Sequence, residues 1–327
     1  MNTIRDVAKE ANVSVATVSR VINNRGYLSA EIKQRVADAM QALDYHPNEL
    51  ARSLLSQKSH IIGLIVPSAR NPFYGEIIYH VEGYAYEQGY KVLICNSLQD
   101  RDKEREYIEM LKRSQVDGII MGSHVADTAD YTGLNLPVIS LDRQLGPGIP
   151  YVCCDNYQGG VLAVRHLIAK GCRNLLHFCD GLGIQMIANK RTEAFFDVCR
   201  TTNIPYTYVE LPDSTVVNFR EQELIRSTLE THPEVDGIFA SNDVTATAVI
   251  GIAAGMGRKI GRDLKVIGFD GSFLPALMRP RLSTIRQSVD ALGRYAVEYL
   301  IRMMSNEPVP TQTVLPVVLQ EEESTLG

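Results

Sequence analysis

The sequence lacks several features that would place it in a common class of protein. It has no tryptophan, and no uncharged apolar run approaches the roughly 18 residues of a membrane-spanning helix. Its six cysteines show neither CxxC spacing nor a metal-site pattern, so they are expected to be reduced and packed as small apolar residues. The polar N-terminus, Met1–Asp6, has no apolar signal core. We expect a cytoplasmic protein with no membrane span, no metal and no cofactor.

Catalytic signatures are also missing. The seven histidines are scattered, neither HExxH nor GxSxG occurs, and Gly255-Met256-Gly257 lacks the remaining glycine spacing of a dinucleotide-binding loop. No pair of carboxylates can be assigned a catalytic role from the sequence. The chain is therefore predicted not to be an enzyme.

An excess of positive charge is absent from the chain as a whole. The net charge is −5, which by itself argues against a nucleic-acid partner. Residues 1–58, however, hold eight Lys or Arg against six Asp or Glu, a local balance of +2 that leaves −7 for the remainder. A mildly basic segment joined to an acidic body fits a small nucleic-acid module attached to another domain, although chance produces such an imbalance as well. With 327 residues, the chain is long enough for two or three domains.

Three short helices are predicted in the first 46 residues. Thr3 and Asp6 approximate a capping box, Ser14 caps a second helix that reaches Ile22, and Ser29 begins a third. Apolar residues recur at helical spacing in each segment. Two short helices separated by three or four residues form a helix-turn-helix, whose second helix enters the DNA major groove.

The second helix combines an apolar face with a small, hydroxyl-rich face that carries a single basic residue. Arg20 would donate two hydrogen bonds to guanine, while Val15 and Ala16 would contact thymine methyls or permit close approach. Candidate phosphate contacts are the polar residues at the helix start and in the flanking segments; they are Ser14, Thr17, Ser19, Asn23 and Ser29. The alternative is an ordinary helical hairpin whose Arg20 faces solvent.

Pro47 ends the third helix, and a short helical patch follows it. Leu50, Ala51 and Leu54 form its narrow apolar stripe. Two interpretations remain open from the pattern. The patch is either an interdomain helix packed on the body of the protein, or a hinge that folds when two copies meet over the minor groove, with Leu54 inserted between base pairs.

Beyond residue 58 the pattern changes to apolar runs alternating with helix-length segments. This βα rhythm predicts parallel sheets with helices on both faces, and the length favours two lobes. The runs are Ile61–Val66, Val92–Cys95, Gly118–Met121, Val138–Leu141, Leu175–Phe178, Gly237–Ala240 and Val266–Phe269.

Polar residues follow these apolar runs, where open α/β sheets bind their ligands. Carboxylates, amides and guanidinium groups can hydrogen-bond vicinal hydroxyls, and aromatic rings can cover the C–H face of a sugar, so a neutral polyol is predicted. Asp180 and Asp243 are interpreted as helix N-caps. The candidate ligand residues are Ser68, Phe73, Tyr74, Ser123, His124, Asp142, Arg143, Arg191, Asn242 and Asp270.

Three segments closely resemble the lactose-repressor (LacI/GalR) family of bacterial transcription regulators: Thr3–Ala8, Val13–Asn23 and Tyr45–Leu54. The resemblance extends over the whole chain. It implies a homodimer on a palindromic operator, with Ala51 and Leu54 at the DNA and Leu54 as the intercalating residue. It also implies a fold like that of periplasmic binding proteins, with two Rossmann-like parallel-sheet lobes behind an α-helical head.

The resemblance also implies domain boundaries. They are a helix-turn-helix domain at 1–46, a hinge helix and linker at 47–58, and an effector-binding and dimerisation core at 59–327. Within the core, the first lobe takes in about 59–155 and 285–315, and the second about 156–284 and 316–327.

Family motifs add weight to particular effector residues. They place contacts at Arg191 in the segment Arg191–Phe195 and at Asp270 in Ile267–Asp270. They also use Asn242 and the aromatic pair that follows the first strand. Phe219 is a further candidate ring over the ligand.

Other segments resemble the sucrose operon repressors of Gram-positive bacteria within this family; they are Val21–Ser29, Ile94–Ser97, Asp102–Tyr107, Asp142–Pro150 and Thr284–Gln287. The resulting hypothesis is a repressor of a carbohydrate-utilisation operon, released from its operator by sucrose, fructose or a phosphorylated derivative. The alternatives are a solute-binding sugar protein, and a family member that responds to a different sugar or to a corepressor.

Overall fold

The computed structural model describes residues 2–22, 26–45, 58–123, 125, 130–131, 134–181, 186–211 and 218–326. The chain divides into two compact units, Met1–Ser59 and His60–Gly327. Among the described helices, none has both the length and the apolar character needed to cross a bilayer.

The first unit contains three helices, α1 (Ile4–Glu10), α2 (Val15–Ile22) and α3 (Ala30–Ala42). The backbone N–H of Thr3 donates to the Asp6 carboxylate at 2.8 Å, which confirms the predicted capping box. Small side chains fill the interior of this unit, because three short helices leave little room between them. The buried core residues are Val7, Ala8, Ala11, Val18, Val36 and Ala39.

The second unit alternates strands and helices along the chain. Its strands are β1 (Ile61–Val66), β2 (Lys91–Asn96), β3 (Gly118–Met121), β4 (Val138–Leu141), β5 (Tyr151–Cys154), β6 (Leu175–Asp180), β7 (Tyr206–Leu211), β8 (Gly237–Ala240), β9 (Lys265–Asp270), β10 (Ser283–Arg286), β11 (Gln312–Leu315) and β12 (Val318–Gln320). Its helices are α4 (Pro72–Glu87), α5 (Arg101–Arg113), α6 (Asn156–Ala169), α7 (Lys190–Thr202), α8 (Phe219–Thr231), α9 (Asp243–Gly255), α10 (Leu274–Leu277) and α11 (Val289–Met304), with a 3₁₀ turn at Ile187–Asn189.

Two six-stranded sheets organise this unit. The first has the order β11-β5-β4-β3-β1-β2, with every pair parallel. The second has the order β12-β10-β9-β8-β6-β7, and its one antiparallel pair among the described strands is β10 with β12. We call the part built on the first sheet the first lobe, and the part built on the second sheet the second lobe. The chain passes between the lobes after β5, after β10 and after β11.

Helices cover both faces of each sheet, as parallel strands require. Helices α4 and α11 pack on one face of the first sheet and α5 on the other. Helices α6 and α7 pack on one face of the second sheet, and α8 with α9 on the other. This architecture confirms the predicted fold class, a helix-turn-helix head with two doubly covered parallel-sheet lobes.

All seven predicted apolar runs form strands, but five further strands were not predicted. Three of the five, β7, β11 and β12, lie at sheet edges. An edge strand is covered on fewer sides, so its sequence mixes polar and apolar residues and gives no continuous run. The other two, β5 and β10, lie inside the sheets. The sequence of β10, Ser283–Arg286, is mostly polar and gives no apolar run, whereas β5, Tyr151–Cys154, is as apolar as the four-residue strands that were predicted and was overlooked.

Candidate DNA-reading surface and effector cleft

Helix α2 is held by its cap and by one buried face. The N–H of Thr17 donates to Ser14 Oγ at 3.0 Å, and this hydroxyl also lies 2.9 Å from Thr17 Oγ1. The predicted N-cap is therefore confirmed. Val18 is fully buried in the head core, whereas Val15 is 42% exposed and Ala16 and Arg20 are exposed. The helix presents small side chains and one arginine outward, a shape that a DNA groove can accept.

Two further features surround this helix. Ser29 caps α3, since its Oγ accepts the N–H of Ile32 at 3.4 Å. Gly26 has φ +73°, and a Cβ added there would lie 2.7 Å from Nη2 of Arg20, so this glycine gives room to the arginine. The role of Gly26 was not predicted from the sequence. Asn23, Ala51 and Leu54, also predicted to contact DNA, lie outside the described residues.

In the second unit, a buried arginine is the centre of the predicted cleft. Arg191, near the start of α7, is 5% exposed. Its Nε donates to Asn156 Oδ1 at 2.6 Å, and its Nη1 donates to the carbonyl of Ser241 at 2.6 Å. Its guanidinium carbon lies 3.7 Å from the ring centre of Phe269. These contacts position the guanidinium in a single orientation before any ligand arrives.

Asp270 ends β9 beside this arginine. Its Oδ1 lies 3.7 Å from Arg191 Nη1 and accepts a hydrogen bond from Gln287 Nε2 at 2.9 Å. Burial raises the pKa of the Asp270 carboxyl well above its usual range, and Arg191 opposes that shift. Asp270 also has φ +112°, a strained conformation for a residue with a Cβ. Such strain is typical of residues held in place for binding.

Asp142 is the residue of the first lobe that lies near Arg191 and Asp270. It follows β4 with φ +55°, and burial raises the pKa of its carboxyl while Arg191 lowers it. The Oδ1 of Asn156 accepts a hydrogen bond from Arg191, and Asn156 also lowers the pKa of Asp142. Asn156 is thus close to a second-lobe guanidinium and to a first-lobe carboxyl. Sequence reasoning missed Asn156 and Gln287, which follow no apolar run that was predicted as a strand.

Of the two aromatic residues predicted after the first strand, Tyr74 lies at the cleft and Phe73 does not. Burial raises the pKa of the Tyr74 hydroxyl, Asp142, Asp270 and Asp180 raise it further, and Arg191 lowers it. Charged groups of both lobes therefore lie near enough to the hydroxyl of Tyr74 to change its pKa. Phe73 is 7% exposed and packs in the core of the first lobe.

The interpretation of Asp180 and Asp243 as N-caps is wrong. Asn242 caps α9, because its Oδ1 accepts the N–H of Thr245 at 2.9 Å. Asp243 is buried behind it and accepts hydrogen bonds from Ser272 and Thr284. Asp180 instead accepts the hydroxyl of Ser241 at 2.9 Å. For Asp243 the error arose because the cap is the preceding residue, Asn242, and both residue types are good caps. Asp180 is the last residue of β6, and the next α-helix begins after Asn189.

The remaining predicted effector residues are distributed more widely. Ser68 and Ser123 are buried, and Ser123 Oγ lies 2.6 Å from Ser97 Oγ. Arg143 is half-buried. Phe219 begins α8 with 77% of its surface exposed. His124 lies outside the described residues.

One hydrogen bond connects the lobes at the rim of the cleft. The backbone N–H of Phe273 in the second lobe donates to Glu76 Oε1 of α4 at 3.1 Å. Glu76, Tyr79 and Phe273 line a groove of about 390 Å³ beside it. A movement of one lobe relative to the other would break this hydrogen bond, so the bond depends on the relative position of the lobes.

Comparison with known proteins agrees with both units. Residues 3–48 match the family of bacterial regulatory proteins of the lacI type, and residues 164–325 match a periplasmic binding protein-like domain. The ribose operon repressor of Halalkalibacterium halodurans is 39% identical, over 100% of this chain and 98% of the relative. The sucrose operon repressor of Streptococcus mutans is 38% identical, over 98% of each chain.

A solved structure shows the same likeness. The periplasmic binding protein/LacI transcriptional regulator from Alkaliphilus metalliredigens QYMF, complexed with D-xylulofuranose, is 31% identical with a TM-score of 0.76, over 82% of this chain and 100% of that one. The prediction that the chain is not an enzyme is confirmed by these relatives, which are regulators. The chain belongs to the lacI family of bacterial regulatory proteins and is a DNA-binding transcription regulator.

Proposed function

We propose that this protein represses a carbohydrate-utilisation operon and leaves its operator when a small sugar occupies the cleft. The observation that carries the proposal is the polar group formed by the buried Arg191, Asp270 and Asn156 of the second lobe with the half-buried Asp142 of the first. Planar donors and acceptors of this kind hydrogen-bond vicinal hydroxyls, and the nearby ring of Tyr74 suits the apolar face of a sugar. The ribose and sucrose operon repressors support a sugar as the effector class.

The effector we propose carries a five-membered sugar ring. The regulator from Alkaliphilus metalliredigens is complexed with a furanose. D-fructose and D-ribose both form furanose rings, and sucrose contains a fructofuranosyl unit. Sucrose or fructose is the first candidate, on the segments that resemble sucrose operon repressors. Ribose is the second, because a ribose operon repressor is 39% identical over the whole chain.

Control of DNA binding follows from linkage between the two ligands. Operator binding by a homodimer favours one arrangement of the lobes, and a sugar that prefers another arrangement lowers operator affinity by its differential affinity for the two states. In this proposal Arg20 reads the palindromic operator, and Leu54 of the hinge enters the minor groove. The hydrogen bond between Glu76 and Phe273 belongs to one of the two arrangements.

Calorimetric titration and an operator-shift assay test the proposal together. Sucrose, D-fructose, D-ribose and maltose are titrated into the full chain, and operator DNA is first selected from a pool of randomised palindromes. We expect saturable binding of a furanose-containing sugar, and release of operator by the same compound. Tighter operator binding in its presence overturns the inducer model in favour of a corepressor. Binding of ribose or maltose alone overturns the assignment to sucrose.

A matched pair of arginine variants tests the site. Arg191→Gln should weaken sugar binding by at least about 100-fold, since it removes a buried charge-assisted donor, and should leave operator affinity intact without sugar. Arg200→Gln, on the exposed side of the same helix, should change neither. Equal effects of both variants, or operator binding lost in both, would count against a sugar site at Arg191. Failure of the wild-type chain to bind any DNA would favour the solute-binding alternative.

A further inference from the structure

The charges that face the proposed sugar site are mostly negative. Asp142, Asp180 and Asp270 all act on the hydroxyl of Tyr74, and the cation that acts there with them is Arg191. Each carboxylate that stays ionised adds negative potential, and each that takes up a proton adds no positive charge. An anionic group entering the cleft therefore meets a surface with little to attract it.

Arg191 is poorly placed to compensate as a phosphate clamp. A bidentate clamp uses two neighbouring guanidinium nitrogens. Nε already donates to Asn156, and Nη1 donates to the Ser241 carbonyl and lies 3.7 Å from the Asp270 carboxylate. Every neighbouring pair of nitrogens includes Nε or Nη1, so a phosphate would have to displace a protein acceptor.

Among the described residues predicted to bind the ligand, Arg143 is the other cation besides Arg191. Arg143 is half-buried and already interacts with another group of the protein. Phosphate-binding sites depend on clustered Arg, Lys or backbone N–H groups, and the described cleft offers carboxylates instead.

The unsatisfied atoms of the site are acceptors. In the described part of the chain, Asp142 Oδ1 and Gln287 Oε1 are buried and have no hydrogen-bond partner. A sugar hydroxyl can donate to such an oxygen, whereas the terminal oxygens of a phosphate ester at neutral pH mainly accept. Buried acceptors thus favour a ligand rich in hydroxyl groups.

We propose that the cleft selects an uncharged sugar and rejects the phosphate esters of that sugar. This inference rests on the proposed function, because it assumes that a sugar binds between the lobes. It narrows the effector to the free sugar and removes the phosphorylated derivative from the candidates.

Paired titrations at about pH 7.5, where the phosphate is mostly dianionic, test the inference on the full chain. The pairs are sucrose with sucrose 6-phosphate, D-fructose with D-fructose 6-phosphate, and D-ribose with D-ribose 5-phosphate. For the sugar that binds, we expect its phosphate to bind at least about 100-fold more weakly, or about 2.8 kcal/mol. A phosphate ester that binds as tightly as its parent overturns the inference and leaves the proposed sugar site standing.

A charge variant and its matched control test whether negative charge causes the discrimination against the phosphate. Asp180→Asn keeps an oxygen acceptor for Ser241 and removes one negative charge, so it should reduce the discrimination against the phosphate about tenfold. Asp197→Asn makes the same change on an exposed position of α7. The ratio of its affinities for the sugar and for the sugar phosphate should stay that of the wild type. An unchanged ratio in Asp180→Asn contradicts the electrostatic explanation.

If none of the sugars or esters binds, the proposed function fails, and inorganic phosphate decides the inference separately. Saturable binding of phosphate tighter than about 1 mM, lost in Arg191→Gln, would show that the cleft accepts anions and would overturn the inference. No such binding supports it.

Discussion

The proposed DNA-reading helix and the proposed effector cleft present their polar groups in opposite ways. On α2 the candidate contacts stand outward, with Val15 42% exposed and Arg20 exposed, over a core of small side chains. In the cleft, Arg191 and Asp270 are each 5% exposed and are bound to other protein groups. The outward residues can act on a partner with little influence on folding, whereas each buried residue serves binding and stability together.

The sizes of the two partners explain this difference. A DNA groove is long, so many contacts of modest strength can be spread over an exposed helix. A sugar is small, and affinity for it requires polar groups that are oriented and shielded from water. The expected effects of substitution follow from this contrast, and the largest should occur at the buried network.

Asp243→Ala should have the largest effect, on stability. The carboxylate accepts three hydrogen bonds, two from Ser272 and one from Thr284, and its removal leaves these donors buried without a partner. We expect the free energy of unfolding of the second unit to fall by about 4 kcal/mol, measured by urea denaturation. Asp197→Ala on the surface should cost less than about 0.5 kcal/mol. Similar losses of stability in both variants would contradict the expectation that the buried carboxylate contributes more to stability than the exposed one.

The pH dependence of stability should also separate the two units. His177 is fully buried between the rings of Phe195 and Phe239, and burial lowers its pKa to about 4. The unfolded chain takes up this proton near pH 6.5, so the contribution of His177 is complete above that pH and is lost as pH falls toward 4, by up to about 3 kcal/mol. The head, residues 1–46, contains one of the seven histidines, His46, so we expect a weaker slope there.

The free energy of unfolding is measured for the wild type and for His177→Gln across that pH range, and the difference between the two values is compared. Glutamine can still donate and accept a hydrogen bond, but does not titrate. Asp243, whose pKa burial raises to about 7, acts in the opposite direction, since its stabilising contribution is lost as pH rises. Its effect is common to both proteins and cancels in the difference. Parallel stability profiles would exclude the predicted role of His177.

Arg20→Ala should affect recognition alone. Loss of two hydrogen bonds to a guanine should cost about 2 kcal/mol of selectivity between operator and a changed base pair, while sugar binding and unfolding stay unchanged. Arg35→Ala, which removes an exposed charge from α3, should weaken binding to both DNAs alike. Competition titrations with the two DNAs make the measurement. Equal selectivity in wild type and Arg20→Ala would show that the arginine does not read a base.

Ser14→Ala should have the smallest effect, about 1 kcal/mol on the stability of the head, because it removes the cap of α2. Ser14→Asn should restore the stability, since asparagine is also a good cap. Thermal unfolding of the head, measured as its own transition by circular dichroism, tests both variants. A loss that asparagine fails to restore would point to a role of Ser14 other than capping.

The head and the first predicted strands were accessible to sequence reasoning because their signals are local. Ser14 and Thr17 are three residues apart, and the strand Ile61–Val66 is one unbroken apolar run. The capping role of Asn242 was not predicted, since its neighbour Asp243 is an equally good cap in composition. The sequence could not tell the position of Phe73 from that of Tyr74. Adjacent residues of a helix point in different directions, and only the docking of the helix decides which of the two faces the core.

By itself, the sequence determined the helix-turn-helix, the alternation of strands and helices, and the strand ends at which polar residues would collect. Periodicity and capping depend on neighbours within a few residues, so the chain specifies them directly. Only the tertiary structure decided which polar groups meet. Arg191 reaches Asn156 across 35 residues and Ser241 across 50. Such partners are chosen by how one sheet and its helices pack, a property that no local stretch of sequence contains.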